Sequence, residues 1–239
     1  MNKFSRDEFI IIRITDYKDH KSIVKALGRR SGLISFSVNK HKNFKSKFTG
    51  KINKLNIINA ELFHSEKHLY LSNINQTIHA PTIKNMQEYQ NQQKLLMLLE
   101  KISQYKVENN IYETIYKIIT KKLSLNTSLP ILLCKIMHNL NIFEQDKRLH
   151  QANHLYINNK GIINNKEGPI KISTNTYKII QFYIQNKIEL CQRLKIHSEN
   201  KYEIEFVFTH LLQTKYNTLV NFRNLNDIFN NIQLHNQTH

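Results

Sequence analysis

The chain has little cysteine, no apolar run long enough to span a bilayer, and few acids. Its two cysteines, Cys134 and Cys191, stand far apart in a chain of 239 residues, which excludes a disulfide scaffold and a C-x-x-C metal or redox site. No stretch reaches the roughly 18 uninterrupted apolar residues of a membrane span. The opening MNKFSRDEF has neither an apolar core nor a small-residue cleavage site, so it does not read as a secretory signal. The expectation is a soluble, cytoplasmic protein. Acids number 18 against 35 Lys and Arg, a formal net charge of +17 and a pI near 9.8. That excess points to a polyanionic partner, nucleic acid ahead of an anionic membrane. With 40% hydrophobic and 10% aromatic residues, the chain is too apolar for a disordered tail and can form one large domain or two small ones.

Some of the charge is compositional. Asn (30), Ile (33) and Lys (28) are over-used, as an AT-rich genome would dictate, so placement matters more than the total. From Arg29 to Lys54 there are eight basic residues (Arg29, Arg30, Lys40, Lys42, Lys45, Lys47, Lys51, Lys54) and no acid. A phosphate backbone can approach such a segment without local repulsion, and neutralising it would release counterions and make binding salt-sensitive. Phe36, Phe44 and Phe48 interleave with these charges. Phe36 shares a strand face with Ile34 and Val38 and belongs to the core; Phe44 and Phe48 are the candidates for stacking on unpaired bases.

The pattern along the chain predicts two domains. Short strands are expected over Phe9–Ile14, Ser22–Leu27, Leu33–Val38, Ile52–Phe63 and His68–Ile74, with Gly28-Arg-Arg-Ser-Gly32 as a turn. Five strands without a helical period suggest a small Greek-key barrel over residues 1–80, with the basic stretch after the third strand as a loop. Pro81 marks a boundary. Beyond it, residues 83–239 read as mostly helical: Ile83–Tyr105, a second helix through Tyr112 and Leu123, a third with Pro130 in its first turn, a fourth with Ser173 as N-cap, and a fifth over Tyr202–Tyr216. Residues 153–169 read as irregular.

The segment IIRITDYKDHKSIVKALGRRSGLISFSVNKHKNFKSKFTG, from Ile11 to Gly50, resembles the opening of the bacterial recombination mediator family RecO. It has a first strand ending in Asp16-Tyr17, an apolar second strand, a Gly32-Leu-Ile-Ser third strand and a basic loop ending in Lys45-Ser-Lys-Phe48. The helical half, with its late Leu219-Val-Asn-Phe-Arg223, follows in the family's order. The resemblance implies an α+β protein, an OB-fold β-barrel followed by a helical domain. It implies binding to single- and double-stranded DNA, annealing of complementary strands, and loading of a RecA-type recombinase with a RecR-type partner. On the charge placement above, that DNA would be met by Arg29, Arg30, Lys40, Lys42, Lys45 and Lys47, with Phe44 and Phe48 for stacking. The acidic C-terminal tail of single-stranded DNA-binding protein would be met by Lys178, Lys187, Arg193 and Lys195 with Phe182 and Phe206. One departure is plain. Many family members carry a four-cysteine zinc site, and Asn141–Asn153 contains no cysteine, so that site cannot be built from Cys. Asp146, His150 and His154 are at helical spacing but read as solvent-exposed, and no metal or other cofactor is expected.

No constellation points to an enzyme. Asp16, Asp19 and His20 read as a polar turn with Asp16 bonding locally. The Gly28–Gly32 segment lacks the Gly-Lys-Ser/Thr of a P-loop, and the two cysteines sit beside leucines as core residues. Two other classes remain open: an RNA-binding barrel and a structural adaptor whose charge is compositional only.

Overall fold

A computed structural model describes residues 3–17, 21–39, 48, 50–66, 68–102, 109–141, 154–157, 163–164, 168 and 170–216. Five strands, β1 (Phe4–Asp16), β2 (Lys21–Gly28), β3 (Gly32–Asn39), β4 (Ile57–His64) and β5 (Leu69–Ile78), close into a barrel in the order β1-β2-β3-β5-β4. Neighbours are antiparallel except β3 and β5, which run parallel with Ser37 opposite Tyr70. This is the connectivity of the OB fold, a five-stranded Greek-key barrel.

β1 serves two neighbours. Its first half pairs with β4, from Phe4 opposite Phe63 to Ile10 opposite Ile57. Its second half pairs with β2, and the register shifts between Ile11 and Arg13. A bulge bends and twists a strand, which lets β1 close the barrel. Alternation then points Phe9, Ile11, Val24, Ala26, Phe36, Val38, Ile58, Ala60 and Leu62 into one buried cluster.

The strands differ from expectation at their ends. β1 begins at Phe4 because cross-strand pairing, rather than an apolar run, holds its first residues. β4 begins at Ile57, not Ile52, because residues 50–56 fold back on themselves: Leu55 has φ 63°, and the Asn56 amide donates to the Lys51 carbonyl at 2.9 Å.

The barrel keeps more of the chain than the segment before Pro81. Residues 1–83 and 96–123 form one compact unit, and residues 84–95 and 124–239 the other. Helix α1 (Met86–Ile102) contributes to both, while α2 (Asn109–Thr120) belongs to the barrel unit. Ile111, Tyr112, Ile115, Ile118 and Ile119 of α2 are buried. The Tyr112 hydroxyl donates to Glu8 Oε1 at 3.1 Å, and Arg13 pairs with Glu100 of α1 at 2.9 Å. Ile10 and Ile57 occupy outward register positions of the barrel yet are fully buried, and Glu8, on the same outward side of β1 as Ile10, is the residue that Tyr112 of α2 reaches. α1 starts at Met86 rather than Ile83, where Asn85 Oδ1 accepts from the Glu88 N–H at 2.9 Å as an N-cap does.

The second unit holds α3 (Leu125–Asn139), a small sheet of β6 (His154–Ile157), β7 (Ile163–Asn164) and β8 (Ile170–Ser173), then α4 (Thr174–Gln185), α5 (Ile188–Cys191) and α6 (Ser198–Tyr216). The sheet, in order β7-β6-β8, corrects the reading of residues 153–169 as irregular. Leu155, Ile157, Ile170 and Ile172 are buried in it, but strands of four residues or fewer are too short to show a period. Pro130 lies inside α3, not in its first turn, because the helix begins at Leu125. Ser173 caps α4 as expected, its hydroxyl accepting from the Thr176 N–H at 3.1 Å. Cys134 and Cys191 are buried, and burial pushes both thiols up in pKa. Among the described residues no helix is long and apolar enough to cross a membrane.

Candidate nucleic-acid interface

The outward side chains of β2 and β3 alternate with the core set. Lys21, Ile23 and Lys25 on β2 stand opposite Asn39, Ser37 and Ser35 on β3, and the parallel bridge from Ser37 carries the face on to Tyr70 of β5. The Lys21 ammonium lies 4.9 Å from the Tyr70 ring centroid, within cation–π range, and His68 meets the same ring edge-on at 6.3 Å. Tyr17, just past the end of β1, is half exposed, and its N–H donates to the Lys21 carbonyl at 2.7 Å. Ile23, Ser35, Phe36, Ser37, Ser65, His68 and Leu69 line an open cleft of ≈ 480 Å³ here. Rings, hydroxyls and two lysines on an open strand face suit a single strand, with π surfaces for bases and cations for its backbone. Linear charge does not reveal this face, because Tyr17, Lys21, Ile23, His68 and Tyr70 come from separate segments. The alternation of β2, with an apolar Ile23 on its outward side, is the one signal that could have found it.

Arg29 and Arg30 stand elsewhere on the barrel, in the turn between β2 and β3, and they are not bare. Arg29 Nη2 pairs with Glu113 of α2 at 2.7 Å, and its Nη1 lies 3.9 Å from Glu8. Glu113 is the main cause of a guanidinium pKa above its ordinary value. Arg30 donates to the Arg6 carbonyl at 2.6 Å and lies 3.6 Å from Asp7. Asp7 organises the turn: its Oδ2 accepts from the Arg30 N–H, the Ser31 N–H and the Ser31 hydroxyl at 3.0, 2.9 and 2.7 Å. Burial alone would raise the Asp7 carboxyl. Bonds from the Ser31 hydroxyl and from the N–H groups of Ser31, Glu8 and Arg30 outweigh it and hold the carboxyl below its usual range. A cleft of ≈ 570 Å³ opens beside them, lined by Arg6, Asp7, Glu8, Arg29, Arg30, Asn59 and Asn75. Linear sequence leaves residues 29–54 without an acid; folding brings three acids to the first two arginines.

Residues 1–81 match the family described as Recombination protein O N terminal. Residues 1–81 thus carry the N-terminal domain of the RecO family. No curated protein matches the chain at a significant level.

Of the other residues that the basic run and its interleaved aromatics assign to DNA, Lys40, Lys42, Phe44, Lys45 and Lys47 lie outside the described residues. Phe48 packs against the barrel core, as do Ile52 and Leu69, so its ring anchors the end of the basic segment. Asp16 accepts from the Ser22 hydroxyl at 2.9 Å, a local bond across the β1–β2 connection; Asp19 and His20 lie outside the described residues. The residues assigned to a protein tail separate into two places. Lys178 and half-buried Phe182 lie on α4, with Lys187 at the N-cap of α5 and Arg193 and Lys195 just after it; exposed Leu190 and Leu194 stand among the latter three. Phe206 instead stacks on Tyr202 of α6, ring centroids 6.4 Å apart, in a cleft of ≈ 630 Å³ lined also by Lys171, Ile172, Ser198, Glu199 and Glu203. Two carboxylates against one lysine make that cleft a poor match for an acidic tail. Asp146 and His150 fall outside the described residues, and His154 opens strand β6, so the helical spacing that linked them does not apply. Among the described residues no three His, Cys, Asp or Glu side chains cluster as a metal site would require.

Proposed function

We propose that this chain acts as a RecO-type recombination mediator that binds DNA, anneals complementary single strands and helps load a RecA-type recombinase on strands coated by single-stranded DNA-binding protein. What carries this reading is the outer face of β2, β3 and β5, where Tyr17, Lys21, Ile23, Lys25 and Tyr70 stand on an OB barrel that matches the family's N-terminal domain. Annealing needs no acid, base or metal. It needs cations that screen two repelling backbones while base edges stay free to pair. The barrel face holds unpaired bases by their rings, and Lys40, Lys42, Lys45 and Lys47 supply the screening, so the activity is not enzymatic. Exposed Leu190 and Leu194 with Lys187, Arg193 and Lys195 favour the α5 corner, with Lys178 and Phe182 nearby in sequence, as the place for the acidic, apolar tail of single-stranded DNA-binding protein. A RecR-type protein is the further partner.

The test is a fluorescence annealing assay on bare and protein-coated oligonucleotides across a salt series. Changing Lys42, Lys45 and Lys47 to Glu abolishes annealing while thermal unfolding is unchanged. In the same series the salt slope of single-strand binding becomes shallower by about 0.7 for each phosphate that is no longer neutralised. Annealing at the wild-type rate in that variant overturns the assignment, and preference for matched RNA over DNA moves the function to an RNA-binding barrel.

A further inference from the structure

Cross-strand register puts a single row of outward side chains around the barrel. Phe4 stands opposite Phe63, Phe63 opposite Tyr70, Tyr70 opposite Ser37, Ser37 opposite Ile23 and Ile23 opposite Thr15. Their neighbours Leu62, Leu71, Val24 and Val38 point to the core, so the row lies on the opposite side of the strands, with the small Ser37 at its middle covered by its neighbours at 8% exposed. Phe4 is 51% exposed, Tyr17 50% and Ile23 38%; every exposed large apolar side chain on the described strands of the barrel, with Tyr17 at the strand's end, lies in this row or beside it. We propose that the nucleic-acid path continues past Tyr70 onto an aromatic step formed by Phe4 and Phe63, so that the barrel holds unpaired bases on a belt crossing all five strands. The proposal rests on the reading of the β2–β3–β5 face as a single-strand site and extends it to an edge that reading does not use.

The step has the chemistry of a stacking site. The Phe4 and Phe63 rings are 5.3 Å apart and tilted by 55°, as an aromatic cross-strand pair arranges itself. Sheet stability alone would be served better by burying the pair, yet Phe4 is left half in water. Polar groups of the kind that meet phosphates and base edges lie along the row, where His68 and Lys21 sit on Tyr70. Ser5 and His64, by contrast, alternate with Phe4 and Phe63 and bond to each other on the other side of the strands. Glu61 is paired with Arg6 at 2.9 Å, and exposed Glu66 lies in the β4–β5 turn. A protein partner would need a broad apolar patch; this is a stripe one residue wide, which fits a strand of bases. Four interstrand steps of about 4.8 Å span roughly 19 Å, room for about five stacked bases at about 3.4 Å each.

The experiment uses the full chain and oligothymidines of about four and about twelve nucleotides, within the site sizes of single OB barrels, read by fluorescence anisotropy. Phe4→Ala leaves binding of the short oligonucleotide at the wild-type level and weakens the long one roughly tenfold, whereas Tyr70→Ala weakens both. The chain has no Trp, so Phe4→Trp restores long-oligonucleotide binding and adds an emission that the oligonucleotide quenches. If Phe4→Ala binds both lengths like wild type while Tyr70→Ala weakens both, the belt is refuted and the β2–β3–β5 site stands. If Tyr70→Ala also binds like wild type, the underlying site is refuted with it. An unquenched Trp at position 4, or a Phe4→Ala loss that tracks a lowered melting temperature, overturns the belt as well.

Discussion

Asp7 shows how far one side chain can reach in a small barrel. Its side chain is only 8% exposed, and one oxygen gathers three donors from the turn after β2. Hydrogen bonds to a charged acceptor contribute about 1.5–3 kcal/mol each, and buried donors left without one cost a similar amount. Asp7→Asn keeps an acceptor but not the charge, and therefore destabilises the protein by about 2 kcal/mol near neutral pH, measured by urea unfolding. The folded carboxyl has its pKa lowered from an ordinary value near 3.8. Its contribution is thus fully present above that value and is lost as pH falls below it. The gap between wild type and Asp7→Asn should hold steady from neutral pH to about pH 5 and close below about 3.8; a gap that stays constant to about pH 3 contradicts a charged acceptor at this turn.

At the scale of elements, the β2–β3 turn depends on two glycines for different reasons. A Cβ on Gly28 would overlap the Ser31 hydroxyl and lie 2.8 Å from Asp7 Oδ2, so Gly28→Ala forces the turn apart at a cost of about 1–3 kcal/mol. Gly32 has open space around it but φ +67°, so Gly32→Ala costs about 1–2 kcal/mol through backbone strain. Asn tolerates that conformation, so Gly32→Asn should recover most of the loss in thermal unfolding while Gly28→Asn should not. This turn is legible in the sequence, as are the five strands and the cap at Ser173, because Gly, alternation and Ser at a helix start are local signals. The sheet β6–β8 is not, since its strands are shorter than one readable period. The site is half legible: charge runs are visible in a row of letters, but Glu8 and Glu113 reach Arg29 only through folding, and Tyr17, Lys21 and Tyr70 meet only through strand register.

At the scale of the whole chain, the surplus of +17 sets how strongly any polyanion is attracted and how steeply that attraction fades with salt, while in the proposed function the rings of the barrel face would decide what is held once it arrives. The return of α2 to the barrel unit bears on how the protein can be cut. Pro81 and the end of the matched domain at residue 81 both invite a fragment that stops there. Such a fragment strips Glu8 of the Tyr112 hydroxyl, Arg13 of Glu100 and Arg29 of Glu113, and removes the helical segments within residues 96–123, whose buried apolar side chains belong to the same unit. Residues 1–123 should be recovered as a soluble monomer with a sharp melting transition, and residues 1–81 should self-associate, as size-exclusion chromatography of the two would show. Dissection by family boundary would then misreport a stable barrel as an aggregating one.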